Sequence, residues 1–479
     1  MFSRGCFYQL KYFMPNLSQS RALKPTSETS RSLALRILLK VERSNLFADE
    51  VFNRLTYNSQ LSRRDRALAF ALVCGVLRHR GNLDWRLNAL TIRPLQSLPN
   101  VIVMILRLGA YQLLHLDRIP ESAAVNESVE LAKTVKSRDW SGVINGVLRS
   151  LIRQGELPSL DPSDDPVEAL SILYSCPTWL TERWIGTLGL DLAEKVCQQS
   201  IAIPPLTIRT NTLRCSREQL KQRLQREGYM VRRTLVSPVG LIMDKFGPLT
   251  NLKPLEEGWC YVEDEAAQLV PFLLNVQPGQ RLLDACAAPG GKSTHLAALM
   301  RNEGEIVSMD RSGQRLKTLR ENMGGLGITC IRPKIGTWAE NVKFPSSLSS
   351  MLDEGFDGIL VDTPCSGLGV LRRHPEAKWQ KTNQRLFKHQ RIQGEILNRV
   401  STHLRPGGVL VYSACSTEPE ETLHVISRFC QDHPEFQHEN ALPFLPPGSE
   451  GLIKSDGNLM TLGSVHDMDG FFAARLRRT

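Results

Sequence analysis

Three short segments place acids, cysteines and glycines at spacings that could do chemistry. The first is Asp284-Ala285-Cys286-Ala287-Ala288-Pro289-Gly290-Gly291-Lys292-Ser293-Thr294. Paired glycines let backbone approach a ligand closely, and a helix opening behind them offers free N–H groups. Gly291-Lys292-Ser293 matches the end of a P-loop, but that motif needs a glycine where Cys286 stands. The dinucleotide pattern G-x-G-x-x-G is absent too, so neither a triphosphate nor a pyrophosphate is served. Asp310 follows roughly 20 residues on, the distance at which a carboxylate takes two ribose hydroxyls. That combination suits an adenosyl ligand with a neutral linkage. The plainer reading is a chance glycine turn with an unrelated aspartate.

The second segment is Asp362-Thr363-Pro364-Cys365-Ser366-Gly367-Leu368-Gly369, and the third is Ser413-Ala414-Cys415-Ser416-Thr417. Glu418-Pro419-Glu420-Glu421 then reads as a helix start, which would set Cys415 at the positive end of a helix dipole and favour its thiolate. A lone cysteine at a strand end is ordinarily a small buried apolar group. Two of them, one beside an acid, could instead serve nucleophilic catalysis with a separate acid/base group.

These segments need elements that present them together. From about Tyr261 onward the sequence alternates strand, glycine turn and helix. Arg281–Asp284, Glu305–Asp310, Gly358–Asp362 and Val409–Tyr412 read as strands; Ser293–Met300 and Gln314–Met323 read as helices. Such alternation builds a parallel sheet covered on both faces, with ligands at the carboxyl ends of the strands. All three chemical segments sit just after a strand.

The preceding chain is organised differently. Residues 30–155 read as all helical, with apolar residues at helical spacing (Ala34, Ile37, Leu38, Val41; Leu68, Leu72, Val73, Leu77) and Ser62 as a candidate cap. Pro, Ser and Asp between Gly155 and Asp165 mark a linker. Residues 166–260 read as a small α+β region, with strands at Leu206–Arg209 and Leu241–Met243, a helix over Ser216–Glu227 and a helical stretch around Trp179–Leu188. Residues 261–479 form the α/β region.

The net charge is +10 over 479 residues, with 59 Lys/Arg against 49 Asp/Glu. Residues 31–156 hold 19 Lys/Arg, 16 of them Arg, against 11 Asp/Glu. An Arg-rich helical module fits a phosphate-bearing polymer; a solvated helical surface is the bland alternative. Residues 1–29 form a basic tail. Its acid-free first 27 residues also have the composition of an organelle transit peptide, which would make the protein plastid rather than cytoplasmic. The 11 cysteines show no C-x-x-C pair, which gives no support to a zinc ribbon or a thioredoxin-like pair, and scattered unpaired thiols suit a reducing compartment. No stretch reaches the roughly 18 apolar residues of a membrane span. No His/Asp cluster has metal-ligand spacing, so no metal and no metal-dependent nuclease is expected.

Taken in order, the three segments resemble the RNA cytosine-5 methyltransferases of the RsmB/Nop (Fmu/Sun) family. The helical front resembles a NusB-like domain, the arrangement of the RsmB branch. Further matches are Gly109–Leu114, Ser122–Glu127, Asn145–Arg149 and Asp469–Phe472. The likeness runs from about residue 31 to the end. It implies an all-α NusB-like domain, a small α+β middle region and a Rossmann-like class I methyltransferase domain. It implies S-adenosyl-L-methionine as donor, held by Cys286, Ala287, Ala288, Pro289, Gly290, Gly291 and Lys292 with Asp310 and Asp362. The acceptor would be a cytosine of 16S ribosomal RNA, free or in a partly assembled small subunit, bound by a monomer away from any membrane. Cys415 corresponds to the nucleophile, Cys365 to the cysteine that helps release product, and Asp362 to the acid near donor and base. A transfer RNA or 23S target, and a non-catalytic assembly factor, are the alternatives. Two residues depart from the family pattern: Gly336 stands where an acid usually follows the third strand, and Cys176 stands before Pro177-Thr178-Trp179 in place of His.

Overall fold

The computed structural model describes residues 28–44, 46–57, 59–135, 139–154, 164–245, 252–339 and 342–479. The acid-free segment 1–27 and most of the expected linker, 155–163, lie outside them. The chain forms two compact units, Met1–Pro204 with Leu371–Gln380, and Pro205–Val370 with Lys381–Thr479.

The first unit is helical among its described residues. Its helices are α1 (Ser30–Arg43), α2 (Ala48–Thr56), α3 (Arg63–Asn88), α4 (Asn100–His115), α5 (Glu121–Lys133), α6 (Ser141–Gln154), α7 (Pro166–Leu173), α8 (Thr178–Leu188) and α9 (Leu190–Ile201). Ser62 caps α3 as its sequence predicts: its hydroxyl accepts the Asp65 N–H at 3.1 Å, satisfying one of the orphan donors of a helix start. The run Ile102–Gln112 of α4 is buried throughout, which makes it the central helix of the bundle. Gly75 of α3 lets α4 come close, because a Cβ there would stand 1.9 Å from the Tyr111 ring. Leu371–Gln380 returns to this unit from far along the chain. The Trp379 indole N–H donates to Leu77 O at 2.9 Å, and Arg78 donates to Arg372 O at 2.9 Å. Cys176 is buried here, its thiol 3.5 Å from Tyr174 O.

The second unit holds two sheets. Strands β1 (Leu206–Thr210), β2 (Met230–Arg233), β3 (Gly240–Lys245) and β4 (Cys260–Val262) form an antiparallel sheet in the order β2-β3-β1-β4. Helix α10 (Arg217–Arg226) starts in a capping box of Ser216 and Gln219. Strands β1 and β3 and helix α10 follow the sequence pattern; the short strands β2 and β4 carry too few residues to show a period. The expected 166–260 region divides at Pro204, so α7 to α9 go with the helical unit and the four strands with the second.

The larger sheet contains β5 (Arg281–Asp284), β6 (Glu305–Asp310), β7 (Ile331–Ile335), β8 (Phe356–Asp362), β9 (Leu404–Ala414), β10 (Phe436–Glu439), β11 (Leu459–Thr461) and β12 (Phe471–Arg478). Its order is β10-β12-β9-β8-β5-β6-β7, with β11 beside β12. Strands β5 to β9 pair in parallel, as the alternating pattern predicts. Leu283, Val307, Ile359, Val361, Leu410 and Tyr412 form its apolar interior. From β5 the chain runs outward through β6 and β7, then crosses back to β8 and β9. The chain order reverses between β5 and β8, and open α/β sheets bind ligands at the carboxyl ends of the strands at such a point.

Two features differ from the sequence pattern. The strand read as Val409–Tyr412 begins earlier, at Leu404, and takes in Pro406-Gly407-Gly408. Phe356 pairs with Leu404 and Gly358 with Val409, so this stretch bulges within the single strand β9. Strand β12 lies antiparallel between β9 and β10, with Phe472 opposite Ala414. Among the described residues, no helix is long and apolar enough to cross a membrane.

Candidate active site

Asp284 ends β5 and is buried, with the Ser293 hydroxyl donating to its Oδ2 at 2.5 Å. Burial pushes its carboxyl up to about 7, against the hydroxyl's opposing pull. Its protonated form is thus favoured in the fold and not in the open chain, where the ordinary value is 3.8. The stability this supplies is full below that ordinary value and is lost as pH rises through about 7. Urea midpoints measured from pH 5 to 8 should therefore fall less steeply in Asp284→Asn than in the wild type.

Beyond Asp284 the loop turns through Gly290, at φ +106°, into the helix Gly291–Leu299. Gly291 has no room for a side chain, since a Cβ would stand 2.8 Å from Glu263 Oε1. Beneath it lies Arg209 of β1, 2% exposed. Its guanidinium pairs with Glu263 at 2.7 Å and donates to Gly291 O at 2.6 Å and Thr294 Oγ1 at 2.9 Å. The small sheet thus fixes the glycine loop from below. Arg209→Met leaves Glu263 buried without its cation and should cost about 3–5 kcal/mol, read as a lower urea midpoint. Nothing in the sequence pairs Arg209 with a loop so far along the chain, so this support is visible only in three dimensions.

Asp310 ends β6. Its carboxylate accepts the Ser312 N–H at 2.8 Å and the Ala288 N–H at 3.3 Å, and Arg315 lies 3.2 Å away. The same arginine also donates to Ala288 O. Asp310 is thus tied to the Cys286–Lys292 loop, close to the spacing predicted. Cys286 lies among these acids, and burial pushes its thiol up. Gly336, after β7, donates to Asp310 O at 3.1 Å, and a Cβ there would strike Met309. The position is filled by packing and presents no acid.

Asp362 ends β8. It accepts from the Lys292 ammonium at 2.7 Å and from the Ser413 hydroxyl at 2.8 Å. Burial works against the Lys292 charge, but the Asp362 carboxylate prevails and holds the ammonium above its ordinary range. The ammonium also sits 4.9 Å over the Phe471 ring.

Cys365 and Cys415 face each other with their Sγ atoms 3.1 Å apart, both half-buried and free. The Cys415 sulfur, and then burial, push the Cys365 thiol well up, so Cys365 keeps its proton. The Cys365 loop is clamped from several sides. The Ser366 N–H and hydroxyl donate to Glu421 at 2.6 and 2.5 Å, and Gln393 donates to Pro364 O at 3.1 Å. Gly369 N–H donates to Cys415 O at 3.0 Å, and Gly470 N–H to Gly369 O at 2.8 Å. A Cβ on Gly369 would stand 2.0 Å from Gly470 O, so two backbones meet there.

The helix predicted directly after Cys415 starts later. Residues Pro419–Glu421 form a single 3-10 turn and the α-helix begins at Leu423, so Cys415 is not on its first turn. The 3-10 turn serves another end, aiming Glu421 at Ser366. Lys381 is a further group that sequence reasoning missed. Burial lowers its ammonium, and the charges acting on it include those of Cys365, Glu421 and Cys415. The site as a whole can hold a proton on Cys365, move one between Lys292 and Asp362, and present a second sulfur, Cys415, to an electrophilic carbon.

Comparison with known proteins matches residues 271–477 to the family described as 16S rRNA methyltransferase RsmB/F. Residues 28–153 match the NusB family, and residues 176–250 match a ferredoxin-like domain of RsmF/B-like methyltransferases. The chain is 34% identical over 448 residues to a probable ribosomal RNA small subunit methyltransferase B of Bacillus subtilis, covering 94% of this chain and 98% of that one. It is 36% identical over 452 residues to the protein of the same description in Synechocystis, covering 94% and 99%. Among solved structures, the crystal structure of PH0851 superposes with a TM-score of 0.77 at 23% identity, covering 95% of this chain and all of that one.

Proposed function

Because the chain belongs to the 16S rRNA methyltransferase RsmB/F family, we propose that it methylates C5 of a cytosine in 16S ribosomal RNA, with S-adenosyl-L-methionine as donor and Cys415 bonding transiently to C6. The observation that carries this reading is the pair of sulfurs 3.1 Å apart beside the Lys292–Asp362 pair.

The donor supplies an electrophilic methyl group. The residues fit it: the loop after β5 and Asp310 at the end of β6 lie at the carboxyl ends of adjacent parallel strands, joined by the Ala288 N–H on the Asp310 carboxylate. The Cys286–Lys292 loop would hold the donor's adenosyl part and Asp310 its ribose hydroxyls. Asp362 would lie near donor and target.

Cytosine C5 is a poor nucleophile until its ring is made enamine-like. Since Cys365 keeps its proton, the nucleophilic role falls to Cys415, the position to which the family resemblance assigns it. It adds to C6, while N3 takes a proton that the Lys292 ammonium passes through the Asp362 carboxylate, 2.7 Å away. C5 then takes the methyl group. With Cys415 bonded to C6 its sulfur no longer opposes ionisation of Cys365, which gives its proton to solvent and takes the C5 proton; return of the N3 proton through Asp362 to Lys292 then expels Cys415, so one proton is released per methyl transferred. A base attacked on one face and methylated at C5 has to leave its stack, so the substrate cytosine is flipped or single-stranded. The Arg-rich helical unit supplies phosphate contacts for the surrounding RNA.

Bisulfite sequencing of ribosomal RNA from cells lacking the gene tests the reading. One 5-methylcytosine of 16S RNA disappears and returns when the gene is restored. An unchanged 16S pattern, or a loss confined to transfer or 23S RNA, would overturn the assignment.

A further inference from the structure

The helical unit, which does not hold the cysteine pair, brings one group of α2 together with two from much later in the chain. Asp49 lies in the first turn of α2, while His374 and Glu376 belong to the returning segment Leu371–Gln380. One potential ligand atom from each lies within 4.8 Å of the other two. Spacing arguments miss such a cluster, because they look for ligands a few residues apart.

Acids that lie near one another are common and need no ion. Here the oxygens themselves point to one. Glu376 is 2% exposed. Its Oε1 accepts the Ala48 N–H at 2.8 Å, at the start of α2, but its Oε2 is buried with no hydrogen-bond partner. Asp49 Oδ1 is buried without a partner as well. Leaving two carboxylate oxygens dry and unpaired is costly. The charged groups acting most strongly on Asp49 are His374, Glu376 and Glu50, one imidazole among three carboxylates. The His374 ring packs on Phe47 at 4.6 Å between centroids, with Nδ1 3.8 Å from Glu376 Oε1. That imidazole is 20% exposed, which leaves a route in from solvent.

We propose that Asp49, His374 and Glu376 bind one divalent cation of the Zn²⁺ or Mn²⁺ class, a site separate from the methylating residues. One imidazole nitrogen with two carboxylate oxygens is a borderline donor set. It suits these ions, lacks the thiolates of a soft-metal site, and falls short of the six to eight oxygens that calcium takes. The ion's place is structural. It pins residues 371–380, which follow directly after the Asp362–Gly369 loop and Val370 in sequence, onto α2. It acts alongside the hydrogen bonds of Trp379 to Leu77 O and of Arg78 to Arg372 O, which tie the same segment to α3.

The full-length protein, stripped with chelator and desalted, tests this on addition of ZnCl₂, MnCl₂ or MgCl₂. Elemental analysis after a second desalting should find about one equivalent of Zn²⁺ or Mn²⁺ and little Mg²⁺. The melting temperature should rise by roughly 5 °C with the retained ion. Asp49→Asn and Glu376→Gln, which keep the side-chain shapes, should lose both effects while circular dichroism shows the helices intact. His374→Ala provides a third variant should either of these fail to fold. Three results would overturn the proposal. The wild type could retain no ion and melt alike with and without added metal. The variants could retain ion as well as the wild type does. Asp49→Asn could stabilise the metal-free protein in the absence of any metal effect, identifying a proton shared by the two acids instead.

Discussion

Replacing Cys415 by alanine lowers methyl transfer to 16S RNA by on the order of 10⁴-fold or more, with RNA binding nearly unchanged. The expectation follows from the division of labour between two sulfurs 3.1 Å apart. Cys365 keeps its proton, held there by the neighbouring sulfur and by burial. In the alanine variant the neighbouring sulfur is gone, but burial still opposes ionisation of Cys365. Cys415 also lies just beyond the end of strand β9, and its carbonyl is fixed by Gly369. The alanine variant keeps that backbone bond, so a loss of activity reports the sulfur and not a disordered strand. Incorporation of labelled methyl groups into 16S RNA measures the rate, and filter binding measures affinity. A variant that retained full activity would show that no bond to C6 forms through this residue.

Changing Cys365 to alanine has the opposite signature. Attack and methylation proceed, but expulsion of Cys415 slows, and most of the protein recovered from a reaction runs on a denaturing gel as a covalent adduct with RNA. The adduct requires methyl donor and is absent in the Cys365→Ala, Cys415→Ala double variant. Structural collapse of the loop would give no adduct at all, so gain of a band is informative where loss of activity is not. Glu421 holds Ser366 through two short hydrogen bonds, and Gln393 holds Pro364, so the loop keeps its shape when the Cys365 sulfur is removed. An active variant free of adduct would remove Cys365 from the release step.

Much of this architecture is legible in the sequence because it is local. The strand–turn–helix alternation places Asp284, Asp310, Asp362 and Cys415 at or just beyond strand ends, and all four are found there. Ser62 caps its helix because a cap needs only the next three residues. What escapes the sequence is what depends on distant chain. Arg209 reaches Gly291, Glu421 reaches Ser366, and Asp49 meets His374 only after the topology is set. The start of the helix after Cys415 is misread because a proline-led acidic run also suits a 3-10 turn that ends on a bonded glutamate. The strand Phe471–Arg478 is inconspicuous because it is buried along most of its length and shows no in-and-out alternation.

The position of β12 has a consequence for biogenesis. Until residues 471–478 have been made, β9 is an unpaired edge, Lys292 lacks the Phe471 ring and Gly369 lacks the Gly470 backbone that closes over it. A nascent or nonsense-truncated polypeptide that stops short of Gly470 therefore exposes a sticky ribbon bearing an accessible thiol, a species prone to aggregation and oxidation. Quality control would meet such fragments as misfolded protein rather than as slow enzyme.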